Sequence, residues 1–357
     1  MESRTQPANS PSLLMQGAAL VVIIAGLKAA APVLVPFLMA VLAAFLAMPP
    51  LLWLQSKGLS RWLSLTIIIL VGLLLDVLIV VFFGSTLKEF GQGYPDYVQR
   101  LQENTVRLED WLHSLGITVP SDFFDRAMEV FDPSAIMQLV GGLFSSVGNV
   151  LTNAFFIFLT TVFILIEVPS FPAKLKRIGT HPEQTLNRVH VFGQNLMRYL
   201  AIKTTISLVT GVLIAVWLAS IGEDFALLWG LLAFLFNFVP NIGSIIAAIP
   251  AVLLALVQGG LQMALMAAGG FLVVNVVMGN ILEPRVMGYG LGLSTLAVFL
   301  SLIFWGWVFG PVGMLLSVPL TLLLKAVLQS RPETEWIAIL LGPGDAEKMP
   351  LDKSAAP

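Results

Sequence analysis

Two opposite charges lie together in the most apolar part of this chain. The one hundred residues from Phe225 to Leu324 carry only Glu283 and Arg285, within the stretch NILEPRVMG. A carboxylate can accept a proton or bind a cation, and a guanidinium can donate several hydrogen bonds to a polar group. An ionisable side chain in an apolar segment is costly and marks a candidate functional site. The alternative is a short polar loop at the inner membrane surface.

Pro284 stands between the two charges and is expected to end the preceding helix. Asn275 and Asn280 add amide groups to that helix. With a broken helix on either side, these groups predict a polar cavity in an apolar wall. Such a cavity suits a small polar solute or a coupling proton.

The two broken helices are apolar blocks that share a pattern. Each has Trp-Gly, then a proline–glycine interruption, a short apolar run, a second proline and an apolar tail, which indicates a weak internal repeat. The interruptions fall at Pro240, Asn241, Gly243 and Pro250 in the first block, and at Pro311, Gly313 and Pro319 in the second. Irregular backbone at membrane depth survives only where protein buries it or where it lines a cavity. Paired interruptions of this kind predict a transporter's binding site, and two ordinary proline-kinked helices are the alternative.

Three further charges fall inside or near apolar spans. Asp76 lies within the predicted span at residues 63–83, so it is either a coupling group or the partner of Lys28 in a structural ion pair. Lys203 lies near one end of its helix, where we expect it to extend toward the membrane surface or to meet Glu167.

The composition is that of a polytopic membrane protein. Of the 357 residues, 57% are hydrophobic and 11% charged, and the mean hydropathy is +0.90. Roughly 20 apolar residues in a helix cross a bilayer. We therefore predict an all-α fold with about 6–8 transmembrane segments, two interrupted and re-entrant or kinked helical hairpins, and a small helical extracytoplasmic domain.

The placement of charge predicts the orientation. Residues 84–135 carry four Lys or Arg against nine Asp or Glu, whereas residues 169–198 carry five basic residues against Glu183 alone. Positive charge marks the cytoplasmic side, so both termini are expected in the cytoplasm. The predicted divisions are N-terminal helices (1–83), an acidic outer domain (84–135), helices with a basic cytoplasmic segment at 169–198 (136–221), a core with the interrupted helices (225–327) and a cytoplasmic tail (328–357).

Several function classes are excluded. No Walker-type phosphate loop is present, so this chain does not hydrolyse ATP by that route. With zero cysteines it has no thiolate metal site or Cys nucleophile. His113, His181 and His190 all lie in polar segments, which excludes a membrane metalloprotease and a Ser-His protease. No basic tract suggests nucleic acid. We expect no enzymatic activity, cofactor or metal.

The chain contains, in this order, the segments PNIGSIIAAIP, GNILEPRVMGYGLGLSTL and FWGWVFGPVGMLLSVPL. These three segments resemble the signature segments of the autoinducer-2 exporter family, the PerM-like permeases. The resemblance runs from about Leu13 to Leu341 and is closest to the family's quorum-signal transporters. It implies a bacterial inner-membrane secondary transporter that lies in the lipid bilayer and forms a homo-oligomer, a pentamer by the family's pattern. By position, the family's pattern falls on Pro240, Asn241, Gly243, Pro250, Asn280, Glu283, Pro284, Gly288, Pro311, Gly313 and Pro319.

The resemblance and the residues together favour export of a small polar solute, with autoinducer-2 as the first candidate. The rival is a proton- or sodium-coupled cation antiporter in which Asp76 or Glu283 titrates. A non-transporting membrane scaffold or regulator is a third possibility. The predicted transport site is the set Pro240, Asn241, Gly243, Asn280, Glu283, Arg285, Gly288, Pro311 and Gly313.

Overall fold

A computed structural model describes residues 13–114, 142, 153–176, 182–240, 242–287, 292–330 and 332–343. All regular structure in this part of the chain is helical, and six helices are long and apolar enough to cross a membrane. The predicted all-α polytopic fold is therefore confirmed.

Where the chain is described without a gap, the helices follow one another with short connections. In chain order they are α1 (Leu13–Ala29), α2 (Ala31–Ser56), α3 (Arg61–Ser114), α4 (Ala154–Glu167), a 3₁₀ turn (Val168–Ser170), α5 (Phe171–Leu175), α6 (Pro182–Ser220), α7 (Ala226–Phe236), α8 (Gly243–Asn275), a π-helix (Val276–Leu282), α9 (Glu283–Met287), α10 (Thr295–Leu315), α11 (Ser317–Leu328) and α12 (Pro332–Leu340). Many large apolar side chains on α1, α3 and α8 are exposed, as expected of surfaces that face lipid.

The helix α3 is continuous across the predicted boundary between residues 83 and 84. Its 54 residues extend about 80 Å at 1.5 Å per residue, far beyond a hydrocarbon core of about 30 Å. The described part of the predicted acidic domain is thus an extension of a membrane helix. Residues 115–135, the rest of that prediction, lie outside the described residues.

The first interrupted block forms a helical hairpin. Helix α7 runs antiparallel to α6, because Gly230 lies against Gly211 and the Asn237 amide donates to the Ser207 hydroxyl at 2.9 Å. After the turn that begins at residues 237–240, α8 returns, and the Gln258 amide reaches the turn between α6 and α7 again. Both ends of this hairpin, hairpin 1, therefore lie at one end of the bundle, which we call the acidic end after Glu223 and Asp224.

Beyond Gln258 the chain bends and crosses the bundle. Gly260 has φ 71°, a conformation that glycine adopts without a side-chain clash. The following segment runs antiparallel to α6, since the Trp217 indole donates to the Met266 carbonyl at 3.0 Å and Lys203 contacts Glu283. This crossing contains the helix that the sequence predicted before Pro284, between the two interrupted blocks.

The second interrupted block forms hairpin 2, which opens at the opposite end. Helix α10 bends at Gly310, where φ is 66°, and α11 returns beside it. The Trp305 indole donates to the Thr321 hydroxyl at 3.0 Å, and the Lys325 ammonium donates to the Gly292 carbonyl. The segment after hairpin 1 crosses the bundle before hairpin 2 begins, so hairpin 2 enters from the end opposite to the acidic end. We call this the basic end, because Lys174 in α5 and Lys176 just after α5 lie there, beside α6.

Two hydrophobic clusters position the hairpins. Hairpin 1 packs with α3, α6 and the crossing part of α8 around residues such as Phe83, Leu218, Trp229 and Phe271. Hairpin 2 packs with α2 and α6 around Leu42, Leu196, Leu200, Leu316 and Val318. Helix α6 contributes to both clusters and is therefore the shared wall of the bundle.

Candidate transport site

One face of α6 carries three polar side chains at intervals of four residues: Tyr199, Lys203 and Ser207. This spacing places them on neighbouring turns of the same side of a helix, over about 12 Å. Each contacts a different part of the bundle. The sequence alone did not identify Tyr199 or Ser207, although the four-residue interval of polar groups in an apolar helix was a readable signal.

Lys203 and Glu283 form an ion pair inside the bundle. The ammonium nitrogen lies 2.5 Å from Oε1, and the side chains are 6% and 20% exposed. Glu283, which the sequence singled out as a candidate site residue, thus has a buried partner, and the expectation that Lys203 meets Glu167 or the surface was wrong. Glu167 instead contacts Lys174 in an exposed pair. A buried charge needs a partner because desolvation is costly, so Lys203 and Glu283 depend on each other.

The tip of hairpin 1 contacts α6 one turn away. The Asn237 amide donates to the Ser207 hydroxyl, and Pro240 lies in the turn that follows. Gly243 begins α8 against the Phe236 carbonyl oxygen, with which any Cβ at this position would overlap. Gly243, predicted as a site residue, thus allows close backbone packing at this tip. Asn241 lies outside the described residues.

The tip of hairpin 2 lies on the other side of Lys203. Leu316 and Val318 pack in one cluster with Tyr199 and Leu200. Gly313 is buried against the Trp305 carbonyl oxygen, and Pro311, next to the bend, is exposed. Hence Pro311 and Gly313 shape a tip that borders the same helix as Pro240 and Gly243.

Two buried hydroxyls near these tips have no hydrogen-bond partner among the described residues. They are Oγ1 of Thr204, adjacent to Lys203 on α6, and Oγ of Ser317, the first residue of α11. A buried polar group without a partner costs roughly 1–3 kcal/mol, so such groups call for an explanation. Hydrogen bonding to a transported solute would provide one.

The segment around Pro284 differs from the prediction. The helix does not end there: it widens into a π-helix over Val276–Leu282, where the Glu283 amide donates to the Met278 carbonyl, and continues as α9. The i→i+5 pattern accommodates the proline, which lacks an N–H and would clash with an ordinary turn. Single π segments of this kind are frequent at functional sites.

The other predicted polar groups are dispersed. Arg285 and Asn280 are exposed, and the Asn275 amide donates to the Phe271 carbonyl of its own helix at 2.8 Å. Arg285 thus does not share the buried position of Glu283. Gly288 lies outside the described residues.

Lys28 and Asp76 do not form an ion pair with each other. The Lys28 ammonium lies over the Trp307 ring, 3.9 Å from its centroid, in a cation–π contact between α1 and hairpin 2. Asp76 is half-buried on α3, and within the described ranges no Lys or Arg pairs with it. The described residues also contain no cluster of His, Asp and Glu suited to a metal ion.

Comparison with known proteins agrees with this architecture. The protein-family model described as "AI-2E family transporter" matches residues 18–333 of this chain. The chain is 40% identical over 322 residues to the AI-2 transport protein TqsA of Escherichia coli strain K12, covering 90% of this chain and 93% of that protein. It is 36% identical over 344 residues to the putative transport protein YhhT of the same strain, with 96% and 98% covered.

A more distant relative carries a different name. The sodium-lithium/proton antiporter of Halobacillus andaensis is 24% identical over 312 residues, which cover 80% of this chain and 86% of that protein. The family model and the strong matches nevertheless extend over nearly the whole chain. The chain is a multi-pass membrane protein and belongs to the AI-2E family of transporters.

Proposed function

We propose that this transporter exports autoinducer-2, a small polar furanone-type signal, through a site on α6 centred on Lys203 and Glu283. One observation carries the proposal: two helical hairpins that enter from opposite ends of the bundle bring their tips to the same face of α6 that holds the buried ion pair. Irregular backbone and a buried charge pair at one depth are typical of a transporter's binding site.

The polar groups of this site suit an uncharged solute rich in oxygen atoms. Asn237 and Ser207 form a hydrogen bond that can be exchanged, while Thr204 and Ser317 have free hydroxyls in the described part of the chain. The ion pair compensates its own charge, so a neutral solute can bind without leaving a net charge buried. The choice of autoinducer-2 rests on the relative named for AI-2 transport.

Opposed hairpins also suit alternating access. Movement of hairpin 1 would open the site toward the acidic end, and movement of hairpin 2 toward the basic end. The basic end carries Lys174 and Lys176 and is the proposed cytoplasmic side of the bacterial inner membrane, with both termini in the cytoplasm. Export then requires hairpin 2 to admit the solute and hairpin 1 to release it. The exposed apolar faces of α1 and α3 would serve lipid and neighbouring copies in a homo-oligomer.

A cation antiporter coupled to protons or sodium is the second candidate. The buried Glu283 carboxylate favours it, as does the relative named as a sodium-lithium/proton antiporter. In that case Lys203 would compete with the cation for Glu283. The two candidates differ in what must cross the membrane.

Proteoliposomes distinguish them. Purified protein is reconstituted, and autoinducer-2 flux and sodium/proton exchange are measured in parallel, the latter with a pH-sensitive dye. We expect autoinducer-2 flux in the wild-type protein and its loss in Glu283→Gln, while Lys174→Gln, in the exposed pair, keeps wild-type flux. Cation exchange without autoinducer-2 flux would establish the antiporter, and wild-type protein that moves neither would overturn both.

A further inference from the structure

The turn between α6 and α7, at the base of hairpin 1, contains a buried acid that the proposed transport site does not use. Glu223 is 5% exposed, and neither of its carboxyl oxygens has a hydrogen-bond partner within the described residues. The backbone of Glu223, by contrast, is hydrogen-bonded: its amide donates to the Leu218 carbonyl at 3.0 Å. The preceding Gly222 has φ 78°, the conformation in which a glycine ends a helix. The fold thus fixes this carboxyl where water cannot solvate it.

Helix α8, the second helix of hairpin 1, forms hydrogen bonds with this turn on both sides of Glu223. The Gln258 amide nitrogen donates to the Gly222 carbonyl at 2.9 Å, and its oxygen accepts from the Asp224 amide, also at 2.9 Å. From α7, the first helix of hairpin 1, the Trp229 indole donates to the Asp224 carbonyl at 3.1 Å. The bonds that close the base of hairpin 1 are therefore made to the residues immediately before and after Glu223.

The long helix α3 supports the same turn. The Tyr97 hydroxyl donates to Oδ2 of Asp224 at 3.0 Å, and the Asn104 amide donates to the Val257 carbonyl at 3.0 Å. A cavity of about 470 Å³ opens beside the turn, with Glu89, Tyr97 and Asp224 in its wall. This cavity gives solvent and protons a route to within a few residues of Glu223.

The charges around the turn are mostly acidic. Asp224 is the nearest charged group along the chain. Helix α3 contributes Glu89 and Tyr97, and the charges of Asp96 and Arg100 interact with Tyr97. The two helices of hairpin 1 contribute the uncharged side chains of Gln258 and Trp229. Among the described residues no Lys or Arg forms an ion pair with Glu223. Burial, and secondarily the Asp224 charge, raise the pKa of Glu223 to about 8.

We propose that Glu223 is a proton-binding site that couples proton release to the opening of hairpin 1. As a neutral acid the side chain can remain buried, but as a carboxylate it needs water or a donor. The turn can supply either only by moving, and movement breaks the two Gln258 bonds that close the base of the hairpin. Protonation therefore favours the closed hairpin and deprotonation the open one. In a transporter this links a proton at the acidic end to access from that end, and only this last step rests on the proposed function.

Thiol labelling tests the coupling without a transport assay, since the chain has no native cysteine. Ala255→Cys places a reporter in hairpin 1 at a fully buried position, and Leu227→Cys places a matched reporter at an exposed position near the same base. The ratio of their labelling rates with a small maleimide cancels the reagent's own pH dependence. The measurement is made on the purified full chain without solute, between about pH 6 and pH 9, with Glu223 intact and in Glu223→Gln.

With Glu223 intact, we expect the ratio to rise with pH, by roughly tenfold or more between pH 6.5 and 8.5 for a group that titrates near pH 8. In Glu223→Gln the ratio should stay low and nearly independent of pH, because the amide never ionises. Equal pH dependence in the two proteins, or a flat ratio with Glu223 intact, would overturn the proposal.

A second variant keeps the test valid if Glu223→Gln does not fold. Asp224→Asn removes the adjacent charge but keeps an oxygen that can accept from Tyr97. It should lower the midpoint of the labelling transition, because a like charge no longer opposes ionisation of Glu223. An unchanged or higher midpoint would contradict the proposed assignment, whatever the transport assays show.

Discussion

Lys203 and Glu283 lie 2.5 Å apart although 80 residues separate them in the chain, and their ion pair joins α6 to the segment that crosses between the two hairpins. Its position explains why the most apolar stretch of this sequence carries a carboxylate. The partner is not the neighbouring Arg285, which is exposed, but a lysine from the preceding long helix. The pair therefore fixes the crossing segment against the wall that both hairpin tips contact.

Breaking this pair should destabilise the protein more than removing it. In Lys203→Met or Glu283→Gln, one buried group loses its partner, at a cost of about 3–5 kcal/mol in the free energy of unfolding. The double variant should be less destabilised than the sum of the single variants. Denaturation in mild detergent measures all three.

The exposed pair Lys174–Glu167 supplies the control. Its side chains are 61% and 56% exposed, so removing either charge should change the unfolding free energy by about 1 kcal/mol or less. Similar losses at both pairs, or full additivity at Lys203 and Glu283, would show that the buried pair has no special role.

The hairpin tips should not tolerate a methyl group. At Gly243 and Gly313 a Cβ would overlap the carbonyl oxygens of Phe236 and Trp305, so Gly243→Ala and Gly313→Ala must displace the backbone of the tips. We expect each to lower transport at least tenfold and to lower the melting temperature. Gly269→Ala, in the same helix as Gly243, meets no atom within 4 Å and is the matched control. Wild-type transport in both tip variants would contradict close packing as the reason for these glycines.

Much of this architecture could be predicted from sequence, because proline and glycine act locally. The breaks at Pro240 and Pro311, the helix before Pro284 and the isolated carboxylate of Glu283 could all be recognised from composition and spacing. The partner of Glu283 was not, because hydropathy gives no information on which faces of two distant helices meet. For the same reason an ion pair between Lys28 and Asp76 stood as one of two alternatives, whereas Lys28 lies on Trp307. The site prediction also grouped Arg285 with Glu283 by proximity in sequence, and the helix turns the two side chains apart.

The opposite openings of the hairpins predict a pattern of labelling in intact cells. Ser220 ends α6 before hairpin 1, Leu261 follows its second arm, and Ser330 follows hairpin 2. Ser220→Cys and Leu261→Cys should both react with a membrane-impermeant thiol reagent added from the acidic side, and Ser330→Cys only after the cells are opened. If α7 and α8 instead formed one straight crossing, Ser220→Cys and Leu261→Cys would label from opposite sides.

The buried Glu223 predicts that stability falls as pH rises. Its folded-state pKa of about 8 lies above the value near 4.3 expected for an unfolded glutamate, so between these values the folded protein holds the additional proton. Stability from this group is therefore complete below about pH 4 and is lost progressively until about pH 8. Between pH 6 and pH 8 the melting temperature of the wild-type protein should fall by about 2–5 °C more than that of Glu223→Gln. The comparison is made by differential scanning fluorimetry in one detergent, with Glu183→Gln, an exposed acid, as the control. A parallel decline in wild type and Glu223→Gln would mean that Glu223 is already ionised in the folded protein.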